Sequence, residues 1–380
     1  MIQLDGEDIK LPSDKLKIGI LDRSIPRWGG RQITFIDGFA SCFKELGHDV
    51  KIYTDFMGKG KFSSPDKILE QCVSTNLRKS DFVQLKYMDL LHSSQMTLEE
   101  YHRNFLPVEE FNKKDLMLVS IGHSWLAERL KVPIVAWVIA IPRTTKWISP
   151  KTVIFTNSRT QKSRLWLGKA ARRAVVVYPP HDYSLFRRNA KSWNDRRIDI
   201  LLTTPVTKSN VNTFYLFDEI LKLAKVAEDY NLVGIFKTRN AIEEQFVSKL
   251  KFKTYTNLSR RNVANIMGNS KIFVNLSPLE SASLAIYESL NAGCYPIIRE
   301  AGACKEQMGN VGIIYKEFPS NQIGEILNSE YDIRQSIEQG KKFDRLTTKL
   351  MIQKLLKEII DEWKEGWRNF YNTRKWKWKF

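Results

Sequence analysis

Two glutamates late in the chain are the residues best suited to chemistry by type and spacing. Glu280 and Glu288 are separated by seven residues within the stretch 277–296. Glu280 follows an apolar run that predicts a buried strand, and small residues such as Ser281 and Ser283 then lead into a helix with Glu288 about one turn inside. Free N–H groups at a helix start bind phosphate, and carboxylates accept hydrogen bonds from hydroxyls. This arrangement suits a sugar nucleotide.

A bland interpretation of the two glutamates remains open, because such a spacing also arises by chance. Glu280 could be an ordinary carboxylate at a helix start, and Glu288 could belong to a solvated helix face. The residues after Glu288 favour function, since SLNAGCYPII contains a helix stop followed by a buried strand that includes a proline.

Length and composition bound the possible classes of protein. The chain has 380 residues, of which 43% are hydrophobic and 27% charged. The length predicts two domains at roughly 150 residues each, and the composition excludes disorder and collagen-like repeats. Sixty Lys and Arg against 42 Asp and Glu give a net charge of +18. A surface this basic favours polyanions, whether nucleic acid, phosphorylated ligands or anionic lipid headgroups.

Cysteine and acidic residues do not form the patterns of metal sites. The four cysteines, Cys42, Cys72, Cys294 and Cys304, include no Cys-x-x-Cys pair, and the sequence contains no Asp-x-Asp. We therefore expect no metal, no disulfide framework and a reducing, cytoplasmic location. The N-terminus is acidic without an apolar core, so we expect no secretory signal. The longest apolar stretch, 132–141, has about half of the roughly 20 residues that a membrane-spanning helix needs.

Short apolar runs alternate with amphipathic stretches along most of the chain. Near-continuous Val and Ile runs predict strands covered on both faces, and hence parallel sheets flanked by helices. Strands are predicted over residues 16–21, 49–53, 116–121, 133–139, 152–156 and 174–178, and then over 199–202, 231–236, 271–276 and 295–298. Helices are predicted over residues 31–46, 211–228 and 284–292.

A break in this alternation divides the chain. Residues 178–197 hold two prolines and many basic residues without clean periodicity, which is typical of a linker. The sequence therefore predicts two doubly wound, Rossmann-like α/β domains, 1–178 and 179–350, that face each other across a ligand-binding cleft. Residues 351–380 are predicted to form a C-terminal amphipathic helix, which crosses back to the first domain, and a basic aromatic tail.

The stretch around the two glutamates resembles the signature of the family 4 glycosyltransferases, which are retaining enzymes of GT-B fold. Their Glu-x7-Glu motif runs roughly Ser-x-x-Glu-Gly-Phe-Gly-Leu and then Glu-Ala-x-Ala-x-Gly-x-Pro. The residues that match it in register are Ser277, Glu280, Leu284, Glu288, Gly293 and Pro296. Ser281 and Ser283 keep small side chains at its two glycine positions.

Further segments extend the resemblance over nearly the whole chain. Gly29 and Gly30 are similar to the family's N-terminal glycine loop, and residues 45–54 resemble the Gly-His step that ends its first βαβ unit. Residues 153–165 resemble its strand-Ser-helix step. Residues 175–186 and 302–306 are similar, in turn, to the opening of its second domain and to its Gly-Gly-x-x-Glu.

The resemblance implies transfer of a hexose from a nucleoside-diphosphate sugar to a hydroxyl of a glycan, lipid-linked or glycolipid acceptor. Glu280 would position the sugar hydroxyls and favour a cationic transition state, and Glu288 would hold the ribose hydroxyls. Lys208 would neutralise the diphosphate, and Tyr255 would lie beside the base. The donor-binding residues that the resemblance implies are Gly29, Gly30, Lys208, Tyr255, Ser281, Ser283, Leu284 and Glu288. It implies no metal and no cofactor apart from the donor.

The sequence departs from the family at the cations that neutralise the diphosphate. The family has an Arg-x4-Lys pair, and here Lys208 matches the Lys whereas Thr203 stands at the Arg position. A missing cation would weaken stabilisation of the developing charge. Lys237 and Arg239, after another strand, could replace it or could be ordinary surface charge.

A second departure concerns the acceptor side. Many family members have a His near the transferred sugar, and the comparable stretch 136–143 has none. His123 also lies at the end of a predicted strand. It could line the acceptor pocket, or it could be a helix-capping or partly buried residue.

The C-terminal tail predicts contact with a membrane surface. Trp376, Trp378 and Phe380 alternate with lysines. Tryptophan prefers the headgroup level, and a lysine near an anionic surface adds about 1 kcal/mol. We therefore expect peripheral association with the cytoplasmic face of a membrane.

Two other classes of function stay open from the sequence. Thr203 and the missing His are compatible with a non-catalytic GT-B scaffold that binds a partner. The charge of +18 is compatible with a nucleic-acid-binding protein. However, the basic residues are dispersed and no known nucleic-acid module is present, so we expect no specific nucleic-acid partner.

Overall fold

The computed structural model divides the chain into two compact units. The residues that the structure describes are 3–4, 7–8, 15–21, 34–54, 64–70, 72, 76–85, 106–138, 148–149, 151–164, 174–205, 216–238, 241–278 and 282–365. Unit 1 comprises Met1–His181 and Arg345–Phe380, and unit 2 comprises Asp182–Asp344. Unit 1 is thus completed by the end of the chain, after the whole of unit 2.

A parallel sheet forms the centre of each unit. In chain order the strands are β1 (Gln3–Leu4), β2 (Glu7–Asp8), β3 (Lys17–Leu21), β4 (Asp49–Thr54), β5 (Phe82–Gln84), β6 (Leu116–Ser120), β7 (Ile134–Val138), β8 (Thr152–Thr156), β9 (Ala174–Val176), β10 (Ile198–Pro205), β11 (Leu232–Lys237), β12 (Lys253–Thr256), β13 (Ser270–Asn275), β14 (Tyr295–Arg299) and β15 (Ile313–Tyr315). Unit 1 has the strand order β5-β4-β3-β6-β7-β8-β9, and unit 2 has β12-β11-β10-β13-β14-β15. β1 and β2 form a separate antiparallel pair.

Helices connect these strands. They are α1 (Ser41–Glu45), α2 (Pro65–Leu69), α3 (Val108–Phe111), α4 (Arg159–Arg164), α5 (Ser184–Asn189), α6 (Phe217–Val226), α7 (Ala241–Ser248), α8 (Arg260–Gly268), α9 (Leu284–Asn291), α10 (Cys304–Met308), α11 (Ile323–Asn328), α12 (Arg334–Lys341) and α13 (Arg345–Lys364). A π-helical segment, Thr34–Ala40, precedes α1, so the predicted helix 31–46 is a π-helix followed by a short α-helix. Short 3-10 helices cover Lys79–Asp81, Ile121–Glu128, Trp193–Asp195 and Ser320–Gln322.

The predicted fold class, two doubly wound α/β domains with parallel sheets, is confirmed. Every residue of β7 and β8 is buried, because their side chains pack on both sides of the unit 1 sheet. Val135 and Trp137 of β7 lie in one core, whereas Ile134 and Ala136 lie in the core on the other side. The continuous apolar run therefore marks a strand covered by helices on both faces.

The unit 2 sheet has two distinguishable faces, and this alternation positions the candidate site. Ile200 and Leu202 of β10 share one core with Ile272 and Val274 of β13 and with apolar residues of α6 and α7. Successive side chains of a strand point to opposite faces. Thr203 of β10 and Asn275 of β13 therefore face the other side, at the carboxyl ends of their strands.

The segment predicted as a linker is an ordered part of unit 2. It contains α5 and a 3-10 turn, and it buries the aromatic side chains of Tyr183, Phe186 and Trp193. The boundary between the units falls between His181 and Asp182. In the sequence, the basic residues between these aromatic residues obscure the apolar pattern that would have indicated a buried segment.

The long helix α13 packs on unit 1. It begins at Arg345, six residues before the predicted start at 351, and buries Ile352, Leu355 and Ile359 in the same core as β3 and β7. At its first residue, the Arg345 guanidinium forms an ion pair with Glu45 of α1 at 2.9 Å. The predicted tail beyond 365 lies outside the described residues. Within the described part of the chain, no helix is long and apolar enough to cross a membrane.

Candidate functional site

The start of α9 lies at the carboxyl edge of the unit 2 sheet. Ser283 is the N-cap residue, but its hydroxyl makes no capping bond to the helix and instead accepts one from Asn275 Nδ2 at 3.4 Å. The first N–H groups of an α-helix have no acceptor within the helix, and the first turn of α9 contains no acidic residue. The amides that begin at Leu284 are therefore oriented to receive an anion.

Gln307 of α10 fixes the position of this helix start. Its side-chain Oε1 accepts from the Ser283 N–H at 3.0 Å, and its Nε2 donates to the Ser283 carbonyl at 2.8 Å. Both groups of Ser283 are thus bound within the protein. Ser283 and Leu284 are both predicted donor-binding residues, but the Ser283 N–H is already bound to Gln307, so the Leu284 amide is the first that could bind the diphosphate.

Glu288 lies one turn into α9 and is paired with an arginine. Arg260, the first residue of α8, donates its Nε–H to Glu288 Oε1 at 3.1 Å. The side chains are 8% exposed for Arg260 and 15% for Glu288. Glu288 is therefore not the solvated helix-face residue of the bland interpretation. It is a largely buried carboxylate, and Arg260 is the cation that pairs with it among the described residues.

Aromatic rings surround the guanidinium of Arg260. Its Cζ lies 5.8 Å from the ring centroid of Tyr183 and 5.4 Å from that of Phe186. Both rings are fully buried, and Tyr183 also packs against Tyr287 of α9 with ring centroids 5.9 Å apart. Cation–π contacts of this kind restrain a guanidinium in position.

Burial and the arginine act on the Glu288 carboxyl in opposite directions. Desolvation raises the pKa of Glu288 above its ordinary value, and the charge and hydrogen bond of Arg260 lower it again. Tyr183 stays protonated, because burial raises its pKa well above the ordinary value. The ionisation of Glu288 thus depends on Arg260.

Thr203 has the position at the end of β10 that the sequence analysis assigns to it. Its Oγ1 is buried and has no hydrogen-bond partner within the described part of the chain. Thr203 pairs in register with Ile235 of β11, and Pro205 pairs with Lys237. Since residues 235 and 237 share a face of the strand, Lys237 extends from the same face of the sheet as Thr203.

Tyr255 lies on β12, which is an edge strand of the unit 2 sheet. β11 and β10 lie between β12 and β13. Directly after β12, Asn257 has a positive φ of 51°, a conformation that Asn tolerates better than most residues. Asn257 Nδ2 donates to Thr238 Oγ1 at 2.9 Å, and the Thr238 N–H donates to Asn257 Oδ1 at 3.2 Å. These two hydrogen bonds connect the carboxyl ends of β11 and β12.

His123 belongs to unit 1 and lies in the 3-10 helix that follows β6. It is buried, and its Nδ1 lies 2.8 Å from Ser120 Oγ. The geometry fits the partly buried residue that the sequence left open as one alternative. The assignment of His123 to the acceptor side stays a prediction.

Several predicted site residues lie outside the described residues, namely Gly29, Gly30, Lys208, Arg239, Glu280 and Ser281. Their roles stay predictions. In the ranges that are described, no group of three or more His, Cys, Asp or Glu side chains could hold a metal ion.

Two residues of the site were missed by the sequence analysis. Arg260 is 28 residues from Glu288 in the chain, and no motif connects them. Gln307 directly follows the 302–306 segment that resembles the family's Gly-Gly-x-x-Glu, and this adjacency was the one available signal.

No protein-family model matches the sequence, and no curated protein matches it. Solved structures do resemble the fold. A glycosyltransferase from Rickettsia africae ESF-5 is 14% identical, with 91% of this chain and 99% of that chain covered and a TM-score of 0.67. Anabaena Alr3699/HepE in complex with UDP is 14% identical, with 90% and 100% covered and a TM-score of 0.66. Sucrose-phosphate synthase from Thermosynechococcus elongatus is 12% identical, with 94% and 99% covered and a TM-score of 0.58. At these identities the likeness establishes the GT-B fold.

Proposed function

We propose that this protein is a glycosyltransferase that moves a hexose from a nucleoside-diphosphate sugar to a hydroxyl acceptor. The observation that carries the proposal is the start of α9, where the helix-start amides, which have no acceptor within the helix, and the largely buried Glu288 carboxylate lie at the carboxyl edge of a doubly wound sheet. That edge is where this architecture binds ligands. The GT-B fold and the UDP complex of a structural neighbour support the same donor class.

The donor would bind to unit 2. The α9 amides and Lys208 would neutralise the diphosphate, and Gly29 and Gly30 remain proposed donor-binding residues from the resemblance. Glu288 accepts hydrogen bonds from the ribose hydroxyls. Lys237, on the same sheet face as Thr203, is the best-placed described cation to compensate for the arginine that Thr203 replaces.

The chemistry would follow the family 4 course, with retention of anomeric configuration. The acceptor oxygen attacks the anomeric carbon from the face that the diphosphate leaves, and a diphosphate oxygen takes the acceptor proton. Glu280 stabilises the cationic transition state and positions the sugar hydroxyls. The cations and amides take the role that a divalent metal has in other glycosyltransferases.

The acceptor would be a glycan, a lipid-linked sugar or a glycolipid, with His123 on its side of the site. A lipid acceptor would agree with the aromatic and basic tail, which we propose as a peripheral contact with an anionic membrane. Liposome co-sedimentation of the full chain and of a chain ending at 372 tests this. Equal recovery in the supernatant with and without anionic lipid would contradict it.

A non-catalytic GT-B scaffold is the second candidate, and Thr203 favours it. The buried hydroxyl offers no charge where a diphosphate cation is expected. The two candidates differ in whether a bound donor is slowly hydrolysed in the absence of acceptor.

A thermal-shift screen with UDP-, GDP- and ADP-sugars tests the proposal directly. A donor at 100 times its dissociation constant should stabilise the protein by about 2.7 kcal/mol. Donor hydrolysis should then release the matching nucleoside diphosphate. Stabilisation without any release would favour the scaffold, and the absence of stabilisation by all three donor classes would contradict the proposed transferase.

A further inference from the structure

The pair formed by Arg260 and Glu288 differs from an ordinary ion pair in how the carboxylate is used. An arginine commonly grips both oxygens of a carboxylate with parallel N–H bonds. Here the contact runs from Arg260 Nε to Glu288 Oε1 at 3.1 Å. Within the described residues no hydrogen bond to Oε2 is present, so Oε2 is the carboxylate oxygen left to accept a donor from a ligand.

The guanidinium itself is fixed from three sides. The rings of Tyr183 and Phe186 pack against it, and the Asp182 carbonyl accepts from Nη2 at 3.5 Å. Tyr183 and Phe186 are fully buried, so the arginine cannot follow a Glu288 side chain that changes rotamer. Arg260 consequently defines where Oε1 lies and, through the rigid carboxylate, where Oε2 lies.

We infer that Arg260 is a positioning residue that holds Glu288 by one carboxylate oxygen and presents the other to the 2′- and 3′-hydroxyls of a bound nucleoside diphosphate. The inference rests on the proposed function, because that function supplies the ribose. It adds the residue on which discrimination between a ribonucleotide and a deoxyribonucleotide depends. In this proposal Arg260 acts on the nucleotide through the Glu288 carboxylate that it positions.

Loss of Arg260 has a signature in pH. Burial raises the pKa of Glu288 and Arg260 lowers it, so removal of the cation raises this pKa further. Among the described residues, Tyr183 also interacts with the carboxylate, and it stays protonated because burial raises its pKa well above the ordinary value. A ribose diol donates to an ionised carboxylate, so nucleotide affinity should fall as the pH drops through the raised pKa of Glu288.

The experiment measures UDP and 2′-deoxy-UDP binding by calorimetry between pH 6 and pH 9. The proteins are the full-length wild type, Arg260→Met and Arg187→Met. Arg187 is the matched control, because it is another partly buried arginine of unit 2 whose partners are Asp344 at 2.7 Å and Asn291 at 2.5 Å, and not Glu288.

For Arg260→Met we expect about tenfold weaker UDP binding at pH 6.5, because removing an opposite charge shifts a carboxyl pKa by about 1–3 units. The affinity should recover to within about threefold of wild type at pH 9. The preference for UDP over 2′-deoxy-UDP should fall by a similar factor at low pH. The wild type and Arg187→Met should share one pH profile, set by the ionisation of the nucleotide itself, and keep the full preference.

Folded Arg260→Met that matches the wild type in pH profile and in ribose preference would overturn the inference and leave the proposed function standing. Wild-type protein that binds none of UDP, GDP and ADP would overturn the proposed function, and the inference with it. If Arg260→Met does not fold, Arg260→Lys takes its place. This variant keeps the charge and loses the planar donor, so its ribose preference should fall at least threefold, and an unchanged preference would overturn the inference.

Discussion

The two ends of helix α9 are built in opposite ways. The C-terminal end is saturated, since Arg196 donates to the Ala292 carbonyl at 2.8 Å and Arg187 donates to the Asn291 side chain at 2.5 Å. Gly293 follows with a left-handed φ of 71°, and its N–H bonds to the Leu290 carbonyl at 2.9 Å. Cations favour the negative end of the helix dipole, so this end is finished within the protein.

The N-terminal end lacks such closure. Its cap residue is held by Gln307 through the backbone, and its own hydroxyl does not cap the helix. Among the described residues, unit 2 therefore closes one terminus of α9 with protein groups and gives the first-turn amides of the other no such partner, and a helix N-terminus of this kind favours an anion.

Among changes at the closed C-terminal end of α9, Arg196→Met should have the largest effect on stability. The buried guanidinium donates to the carbonyls of Lys191, Ser270 and Ala292. We expect the free energy of unfolding to fall by about 3–5 kcal/mol, because each buried carbonyl that loses its donor costs about 1–3 kcal/mol. Chemical denaturation measures this, with the exposed neighbour variant Arg197→Met as the control. A loss below 1 kcal/mol would show that water replaces the guanidinium.

The open N-terminal end of α9 is best tested with the substitution Glu280→Gln, at a residue that precedes the helix in the sequence. This change removes the charge proposed to face the cationic transition state and should lower turnover by about 10²–10³. Nucleotide affinity and melting temperature should stay near wild type, as they should in the exposed control Glu317→Gln. Turnover equal to wild type would remove Glu280 from the mechanism.

A milder change at the closed end is Gly293→Ala. A Cβ there would lie 2.9 Å from Arg196 Nη2 and 3.0 Å from Ile333 Cβ, and the left-handed backbone costs about 1–2 kcal/mol for a non-glycine residue. Gly47→Ala is the matched control, because Gly47 has a φ of 88° with nothing within 4 Å of its added Cβ. The difference in unfolding free energy between the two variants measures the contacts of Arg196. Equal losses would mean that backbone strain is the whole effect at Gly293.

The smallest expected effect is that of chelation. The open end is proposed to neutralise the diphosphate with amides and basic side chains, so transferase activity should survive EDTA unchanged. Activity that is lost in EDTA and restored by magnesium or manganese would show that the open end needs a metal.

The sequence indicated the central strands far better than the edges. β7 and β8 contain long apolar runs, whereas β5, β12 and β15, three of the four edge strands of the parallel sheets, were not predicted; the fourth, β9, was predicted from its valines. An edge strand packs against fewer neighbours, and the residues of β12 are exposed or only partly buried, so no long apolar run marks it.

The candidate site divides in the same way. The position of Glu288 one turn inside α9 follows from local spacing and was predicted correctly. The Arg260 contact was not, because it joins two helices through tertiary packing and leaves no periodic trace in either. A cation that serves a buried carboxylate can come from any helix start that the fold brings near.

The division of the chain also fixes an order of assembly during synthesis. Asp344 is bound to Arg187 of unit 2, and the next residue, Arg345, is bound to Glu45 of unit 1. A ribosome therefore releases every residue of unit 2 before it delivers α13, whose apolar side chains complete the core of unit 1. Domains generally fold as they emerge, but the N-terminal half must wait. Until α13 has left the ribosome, the face of its sheet that Ile352 and Leu355 will cover lacks those side chains and is open to chaperones and to other nascent chains.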